Sequence, residues 1–350
     1  MDITIIIFLF GGLFLGWSLG ANDAANVFGT AVGTRMVRFK TAAIVCSIFV
    51  ILGAVISGAG TTETLGKLGA INALPGAFAA CVAAGFSVYA MTKFGLPVST
   101  TQAIVGAIVG WNLYTGSPTN IKILITILGT WVLCPIIAGL ISMFFYIITK
   151  KFMRNSKLHL LRLDVYTRTA LLLAGAFGAY SLGANNIANV MGVFVPISPF
   201  TDINFLNIFV FSSKEQLFLL GGVAIAVGVF TYSKKVMFTV GSDLLKLSPI
   251  SAFIVVISHS IVLFLFASQG ISNFLQSINL PSIPLVPVSS SQAVVGAVIG
   301  IGLLKGGKEV KWSIAGKITI GWFTLPLLAA IMSFVILFIL QNIFNLSVNL

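Results

Sequence analysis

The sequence predicts an all-α polytopic membrane protein of two inverted-topology repeats, each with broken or long transmembrane helices and a re-entrant helical hairpin. Three observations carry that prediction. Only 8% of the 350 residues are charged and 58% are hydrophobic, with a mean hydropathy of +1.08. A soluble domain carries about 25% charged residues, so this chain cannot cover a water-facing surface; soluble enzyme, nucleic-acid binder and disordered protein are excluded. The apolar stretches are long and nearly continuous, at Ile3–Leu19, Thr41–Ile56, Ile123–Ile148 and Ile318–Leu340. That is the pattern of spanning helices and not the period-2 alternation of a lipid-facing barrel. Finally, two sequence blocks occur twice, in the same order.

The first block, Ser18–Gly29, reads SLGANDAANVFG and returns at Ser181–Gly192 as SLGANNIANVMG, nine of twelve positions identical. The second, Leu96–Gly110, reads LPVSTTQAIVGAIVG and returns at Val286–Gly300 as VPVSSSQAVVGAVIG, nine of fifteen identical. A weaker echo pairs Trp131 and Pro135 with Trp322 and Pro326. The chain therefore divides into a first repeat, 1–149, a basic connector, 150–168, and a second repeat, 169–350. The separation of equivalent residues grows from 163 to 190 between the blocks. The extra length is expected in the polar stretches Ser198–Ser213 and Gly270–Pro284.

The connector holds six basic residues and one acid, Asp164, and is read as cytoplasmic, because Lys and Arg collect in cytoplasmic loops. Topology then follows outward from it. Ile3–Thr34 runs from outside to inside and Thr41–Ser57 back out. Ile3–Leu19 has no basic stretch before it and is expected to remain as a span and not be cleaved as a signal. Ala73–Thr92 and Val98–Tyr114 are joined by only Lys93–Pro97. The second of these is about 25 Å long at 1.5 Å per residue, short for a 30 Å core, so the pair is read as a re-entrant hairpin entered from outside. Ile121–Thr149 returns to the cytoplasm. Three spans plus a hairpin is an odd number of crossings, so the second repeat is inverted, its hairpin Pro249–Ser268 with Val288–Leu304 opening inward. Both termini are placed outside, in a cell (plasma or inner) membrane. This topology puts sixteen Lys and Arg inside and only Lys67, Lys122 and Lys214 outside, with Lys93 near a hairpin tip. Cys46, Cys81 and Cys134 all fall in apolar spans and read as small packing residues.

The repeated blocks carry the chemistry. Asn22, Asp23 and Asn26 lie in the middle of a hydrophobic span, with Asn22 and Asn26 on one helical face. Asp23 is the only acidic residue at clear membrane depth. A carboxylate there costs at least about 2.5–3.5 kcal/mol, and no Lys or Arg in the span can pair with it. The expected partner is a bound cation; oxygen ligands with one negative charge suit Na⁺, and a proton on Asp23 would serve as well. Asn185, Asn186 and Asn189 repeat the set.

The second block reads as a helix start. Pro97 fits the entry to a first turn, and Ser99, Thr100 or Thr101 can cap it. Free N–H groups and the helix dipole make such an end an anion site, with Gln102 beside it. Ser289, Ser290, Ser291 and Gln292 repeat the arrangement from the other side of the membrane. Two helix N-termini facing one point bind a small oxyanion without arginine, and inverted repeats build such midplane sites in secondary transporters. His259, with no Cys or carboxylate near it in sequence, reads as a satisfied core histidine. Metal-ligand spacings, nucleotide loops and nucleophile–base pairs do not occur, so the chain is not read as an enzyme.

At these residues the chain resembles the inorganic phosphate transporter (PiT) family. Residues 20–33, GANDAANVFGTAVG, are similar to that family's first signature, and 183–189, GANNIAN, to its second copy. The resemblance covers both halves in order. It implies an inverted-repeat secondary active transporter in the lipid bilayer, usually a homodimer, moving phosphate with Na⁺ or H⁺; Na⁺ coupling and alternating access are the expectation adopted. It implies binding roles for Asn22, Asp23, Asn26, Asn185, Asn186 and Asn189 and for both Ser/Thr/Gln tips. Two departures stand out: Asn186 occupies a position that is Asp in many members, and Val50 one that is acidic in some. Alternatives are proton coupling, sulfate as substrate and a passive anion channel.

Overall fold

The computed structural model describes residues 3–69, 71–93, 98–155, 159–205, 209–243, 247–308 and 310–350. Pro97, Lys157, Lys246, Glu309 and the loop residues 94–96 expected at the first hairpin tip lie outside them. The described chain is helical apart from one short β-hairpin. The first half runs α1 (Ile3–Gly33), α2 (Phe39–Ser57), the short α3 (Ala59–Gly66), α4 (Leu74–Lys93), α5 (Thr100–Thr115) and α6 (Ile121–Asn155). The second runs α7 (Leu160–Met191), a 3-10 turn at Gly192–Ile197, strands β1 (Ile203–Phe205) and β2 (Phe209–Phe211), α8 (Ser213–Asp243), α9 (Pro249–Ala267), α10 (Gln269–Ser277), α11 (Ser290–Leu304) and α12 (Trp312–Asn342).

Among the described residues seven helices, α1, α2, α4, α6, α8, α9 and α12, are long and apolar enough to cross a membrane. Helix α7 is as long as α1, its counterpart, but carries Arg162, Asp164, Arg168 and three asparagines, which lower its mean hydropathy. Large apolar side chains such as Phe10, Ile125, Leu140, Phe323 and Leu327 point outward. Water would penalise that surface and lipid does not. The basic connector is not a free loop: α6 and α7 extend into it from either side.

The added length of the second half sits in two places. The start of α8 lies 174 positions after that of α2, against 163 between the signature blocks, and the β-hairpin occupies that stretch. The start of α11 lies 190 after that of α5, and α10 with the segment after it falls there.

The two halves pack reciprocally. Helix α1 lies on α8 as α2 lies on α7, and α5 lies on α12 as α11 lies on α6. Each half therefore takes its main partners from the other. Glycines make the close approaches possible at matching positions. Gly106 of α5 faces the backbone of Pro326 in α12, and Gly296 of α11 that of Pro135 in α6. The signature helices do the same: Gly20 meets the backbone of Ile225 and Gly183 that of Val50. The C-terminal Leu350 is tied by two hydrogen bonds to Asn72, which places it at the α3–α4 end of the molecule.

Candidate functional site

Helices α1 and α7 run unbroken through their signature blocks, so the free helix ends at the centre come from the hairpins. Ser99 has an extended backbone (φ −102°, ψ 105°) and its side chain accepts from the N–H of Gln102 at 3.2 Å, which starts α5. Ser289 (φ −79°, ψ 113°) accepts from Gln292 N–H at 3.2 Å and starts α11. Of the three expected capping candidates at the first tip, Ser99 is the one used. The hydroxyls at Thr100, Thr101, Ser290 and Ser291 are thereby left for other partners.

The signature asparagines hold these tips in place. Val98 N–H donates to Asn22 Oδ1 at 3.3 Å, and Val288 N–H to Asn185 Oδ1 at 2.9 Å. The other ends of both amides are also engaged: Asn22 Nδ2 donates to Thr92 Oγ1 at 2.8 Å and Asn185 Nδ2 to the Leu263 carbonyl at 3.4 Å. Asn22 and Asn185 thus act as braces between signature helix and hairpin.

A second layer joins the halves. Asp23 receives three neutral donors: Asn26 Nδ2 at 3.3 Å, Thr100 Oγ1 at 3.3 Å and Asn186 Nδ2 at 3.4 Å. Asn189 Nδ2 donates to Thr101 Oγ1 at 2.9 Å and to Asn186 Oδ1 at 3.4 Å. Thr101 Oγ1 in turn donates to the Val288 carbonyl at 3.2 Å, so the first turns of α5 and α11 abut. All fourteen residues expected at the site are brought into one cluster, and each is at most 3% exposed.

Two features of this cluster decide its chemistry. Of the acidic side chains whose burial the structure describes, Asp23 alone is buried, and neither salt bridge among the described residues involves it. Four buried amide oxygens, Asn26 Oδ1, Asn189 Oδ1, Gln102 Oε1 and Gln292 Oε1, have no hydrogen-bond partner there. Buried acceptors without donors are costly. Amide and carboxylate oxygens are the ligand type that hard cations take. The two capped helix starts, at Ser99 and Ser289, each present the positive end of a helix dipole, the kind of end that anions take.

Three contributing residues escape a reading of the sequence. Thr92 closes the brace on Asn22, and Cys134 Sγ lies 3.7 Å from the Ser289 carbonyl. His259 differs from its expectation as a satisfied core histidine. Its Nε2 is 2.9 Å from Ser290 Oγ, but Nδ1 has no partner among the described residues. Nothing in the local sequence signals any of these, because each partner is tens of residues away.

Comparison with known proteins gives a consistent result. The pattern of the phosphate transporter family matches residues 19–166, 160–272 and 282–349. A candidate phosphate permease of Methanocaldococcus jannaschii is 28% identical, the match covering 96% of this chain and 98% of that one. One of Thermococcus kodakarensis is also 28% identical, with 95% and 97% covered. A solved structure described as the sodium-dependent phosphate transporter superposes with a TM-score of 0.78 at 25% identity, covering 98% of this chain and all of that one.

Proposed function

The chain belongs to the phosphate transporter family, and from that premise we propose that it is a secondary active transporter that carries inorganic phosphate together with Na⁺ by alternating access. The observation that carries this reading is Asp23, buried among neutral donors only, at the first turn of α5, where Thr101 bonds the start of the α11 tip, in a cluster with unpartnered amide oxygens. The arrangement suits a cation and an anion held side by side. The solved relative described as sodium-dependent supports Na⁺ as the cation.

Asp23, Asn26, Asn186, Asn189 and the glutamine oxygens form the cation side. Ser290, Ser291 and the first N–H groups of α5 and α11 form the anion side, while Thr100 and Thr101 donate their hydroxyl hydrogens to Asp23 and the Val288 carbonyl. Asn22 and Asn185 fix the two tips so that these groups converge. Without a cation, ionised Asp23 repels an incoming divalent anion across a poorly screened gap. Na⁺ at the amide oxygens cancels that charge, and the anion is attracted instead. Binding of each species therefore strengthens binding of the other by the same factor.

The two repeats are inverted in the membrane in this reading, with both termini outside, the α6–α7 connection inside and the hairpins re-entrant. Alternating access then follows as one hairpin and its signature helix loosen from the other. The family resemblance adds a homodimer, checked by light scattering of the purified protein. The deciding experiment is uptake of labelled phosphate into liposomes holding the purified protein, with and without an inward Na⁺ gradient. Accumulation that needs Na⁺ supports the proposal. Accumulation driven by a proton gradient alone transfers the coupling to H⁺, sulfate uptake in preference to phosphate changes the substrate, and simple equilibration without any cation dependence defeats symport in favour of a channel.

A further inference from the structure

The two hairpin tips are alike in sequence and unlike in their partners. At the first, Thr100 Oγ1 donates its hydrogen to Asp23 Oδ2 at 3.3 Å. An ionised carboxylate only accepts, so this hydroxyl has no hydrogen left for an anion. At the equivalent position of the second tip stands Ser290, and its partner is the imidazole of His259 at 2.9 Å. Both residues are buried, Ser290 at 2% exposure and His259 at 0%.

A neutral imidazole has one N–H and one bare nitrogen, so the direction of the His259–Ser290 bond depends on which nitrogen carries the hydrogen. With the hydrogen on Nδ1, a buried N–H would be left without an acceptor and Ser290 would have to donate to the ring. With the hydrogen on Nε2, the ring donates to Ser290 Oγ and only a lone pair at Nδ1 goes unmet. Orphaned N–H groups are rarer in proteins than under-satisfied acceptors, which favours the second arrangement. In that arrangement Ser290 accepts from the histidine and its own hydrogen is free.

We propose that His259 is a positioning residue of the anion site: its Nε2–H turns the Ser290 hydroxyl into a dedicated donor to the bound oxyanion. The inference rests on the phosphate-transport reading above and deepens it. It makes the site lopsided, with the anion held chiefly from the α11 tip and the α5 tip facing the cation through Thr100 and Asp23. Cys134 and Asp23 are the other titratable side chains held at the tips, one at the Ser289 carbonyl and one at Thr100. The hydrogen bonds of both go to other groups, while the histidine's goes to Ser290, so its role is one of hydrogen-bond direction.

The test is a double-mutant cycle on full-length purified protein, read by phosphate affinity in saturating Na⁺ and by KM and kcat in liposomes. Glutamine places an amide N–H near the position of Nε2, whereas asparagine reaches only as far as Nδ1. His259→Gln should keep phosphate affinity within about three-fold, while His259→Asn and Ser290→Ala each weaken it roughly ten-fold, as loss of one donor to a charged group does. The change should fall on KM with kcat largely kept. The double variant His259→Asn/Ser290→Ala should be no weaker than either single change. Losses that multiply, or wild-type affinity in His259→Asn, would overturn the assignment. If His259→Asn fails to fold, His259→Gln decides alone: a ten-fold loss there overturns it. Wild-type protein that binds no phosphate at all would bring down the transport reading itself, which separates that failure from this one.

Discussion

Asn189 of the second signature donates to Thr101 of the first hairpin tip across 2.9 Å. Thr101 passes its own hydrogen to the Val288 carbonyl at the other tip. One hydroxyl therefore links the signature of one half, the hairpin of that half and the hairpin of the other. Thr101→Val keeps the shape and removes both bonds. It is expected to leave Asn189 Nδ2 one partner short and to cost about 1–3 kcal/mol of stability. Asn189→Ala should be strongly non-additive with it, which thermal unfolding of the single and double variants in detergent will measure.

Asp23→Asn preserves the side-chain shape and removes the charge. The variant should fold, since a neutral amide is no harder to bury in the bilayer than a carboxylate. It should lose Na⁺-driven phosphate accumulation, and any phosphate binding that remains should become nearly insensitive to Na⁺. Phosphate affinity across a Na⁺ titration, with choline as replacement, checks this. Wild-type Na⁺ dependence in the variant would move the coupling ion away from Asp23.

Caps and anion ligands are different jobs at the tips, and alanine separates them. Ser99→Ala and Ser289→Ala remove the bonds to Gln102 and Gln292 N–H and should lower stability by about 1 kcal/mol each. Ser290→Ala and Ser291→Ala leave both caps in place, each lose one buried side-chain bond (to His259 and to Ser289), and should weaken phosphate binding roughly ten-fold apiece. If triple alanine variants of both tips bind phosphate with unchanged affinity, the anion lies elsewhere.

Gly106 and Gly296 admit the carbonyl-bearing backbone of Pro326 and Pro135. A methyl group at either position meets backbone and not a flexible side chain, so the helices must part. Gly106→Ala and Gly296→Ala should each cost about 1–3 kcal/mol. Gly129→Ala, where nothing lies within 4 Å of the added carbon, is the matched control and should be neutral in the same unfolding assay.

Orientation is tested by single cysteines on a background lacking Cys46, Cys81 and Cys134. Thr201→Cys, before β1, should react with an impermeant thiol reagent from outside, and Lys308→Cys, after α11, only from the cytoplasm. Reaction of both from one face would end the inverted-repeat reading.

Much of this architecture was legible because the chain writes its informative segments twice. A repeated Pro-Val-Ser before a small-residue helix marks the two helix starts, but it leaves Ser99, Thr100 and Thr101 equal as caps, and only the fold selects Ser99 and its counterpart Ser289. Asn and Asp at membrane depth announced the signature helices. What stayed hidden depends on distant partners. Asn22 and Asn185 looked like ligands, and only the folded chain shows both amide ends holding hairpin backbone and its neighbours. The partner that sets His259 apart lies 31 residues away, and a sequence without charge beside the histidine gives no hint of it. Helix α10 and the β-hairpin arise where the second half is longer, in polar stretches whose composition shows loop character but not conformation.

The reciprocal packing of α1 on α8 and α2 on α7 also sets a schedule for biosynthesis. Gly20 waits for Ile225, which leaves the ribosome about 200 residues later, some ten to forty seconds at ordinary elongation rates. Until α7 is inserted Asp23 lacks Asn186, and until α8 follows the groove at Gly20 has only lipid to fill it. Lipid can occupy a glycine groove at little cost, but it offers nothing to a carboxylate. The nascent chain is therefore most exposed to quality control between the insertion of α6 and that of α8. Substitutions that delay α7 should lower the yield of protein well before they alter the transport rate of the molecules that mature.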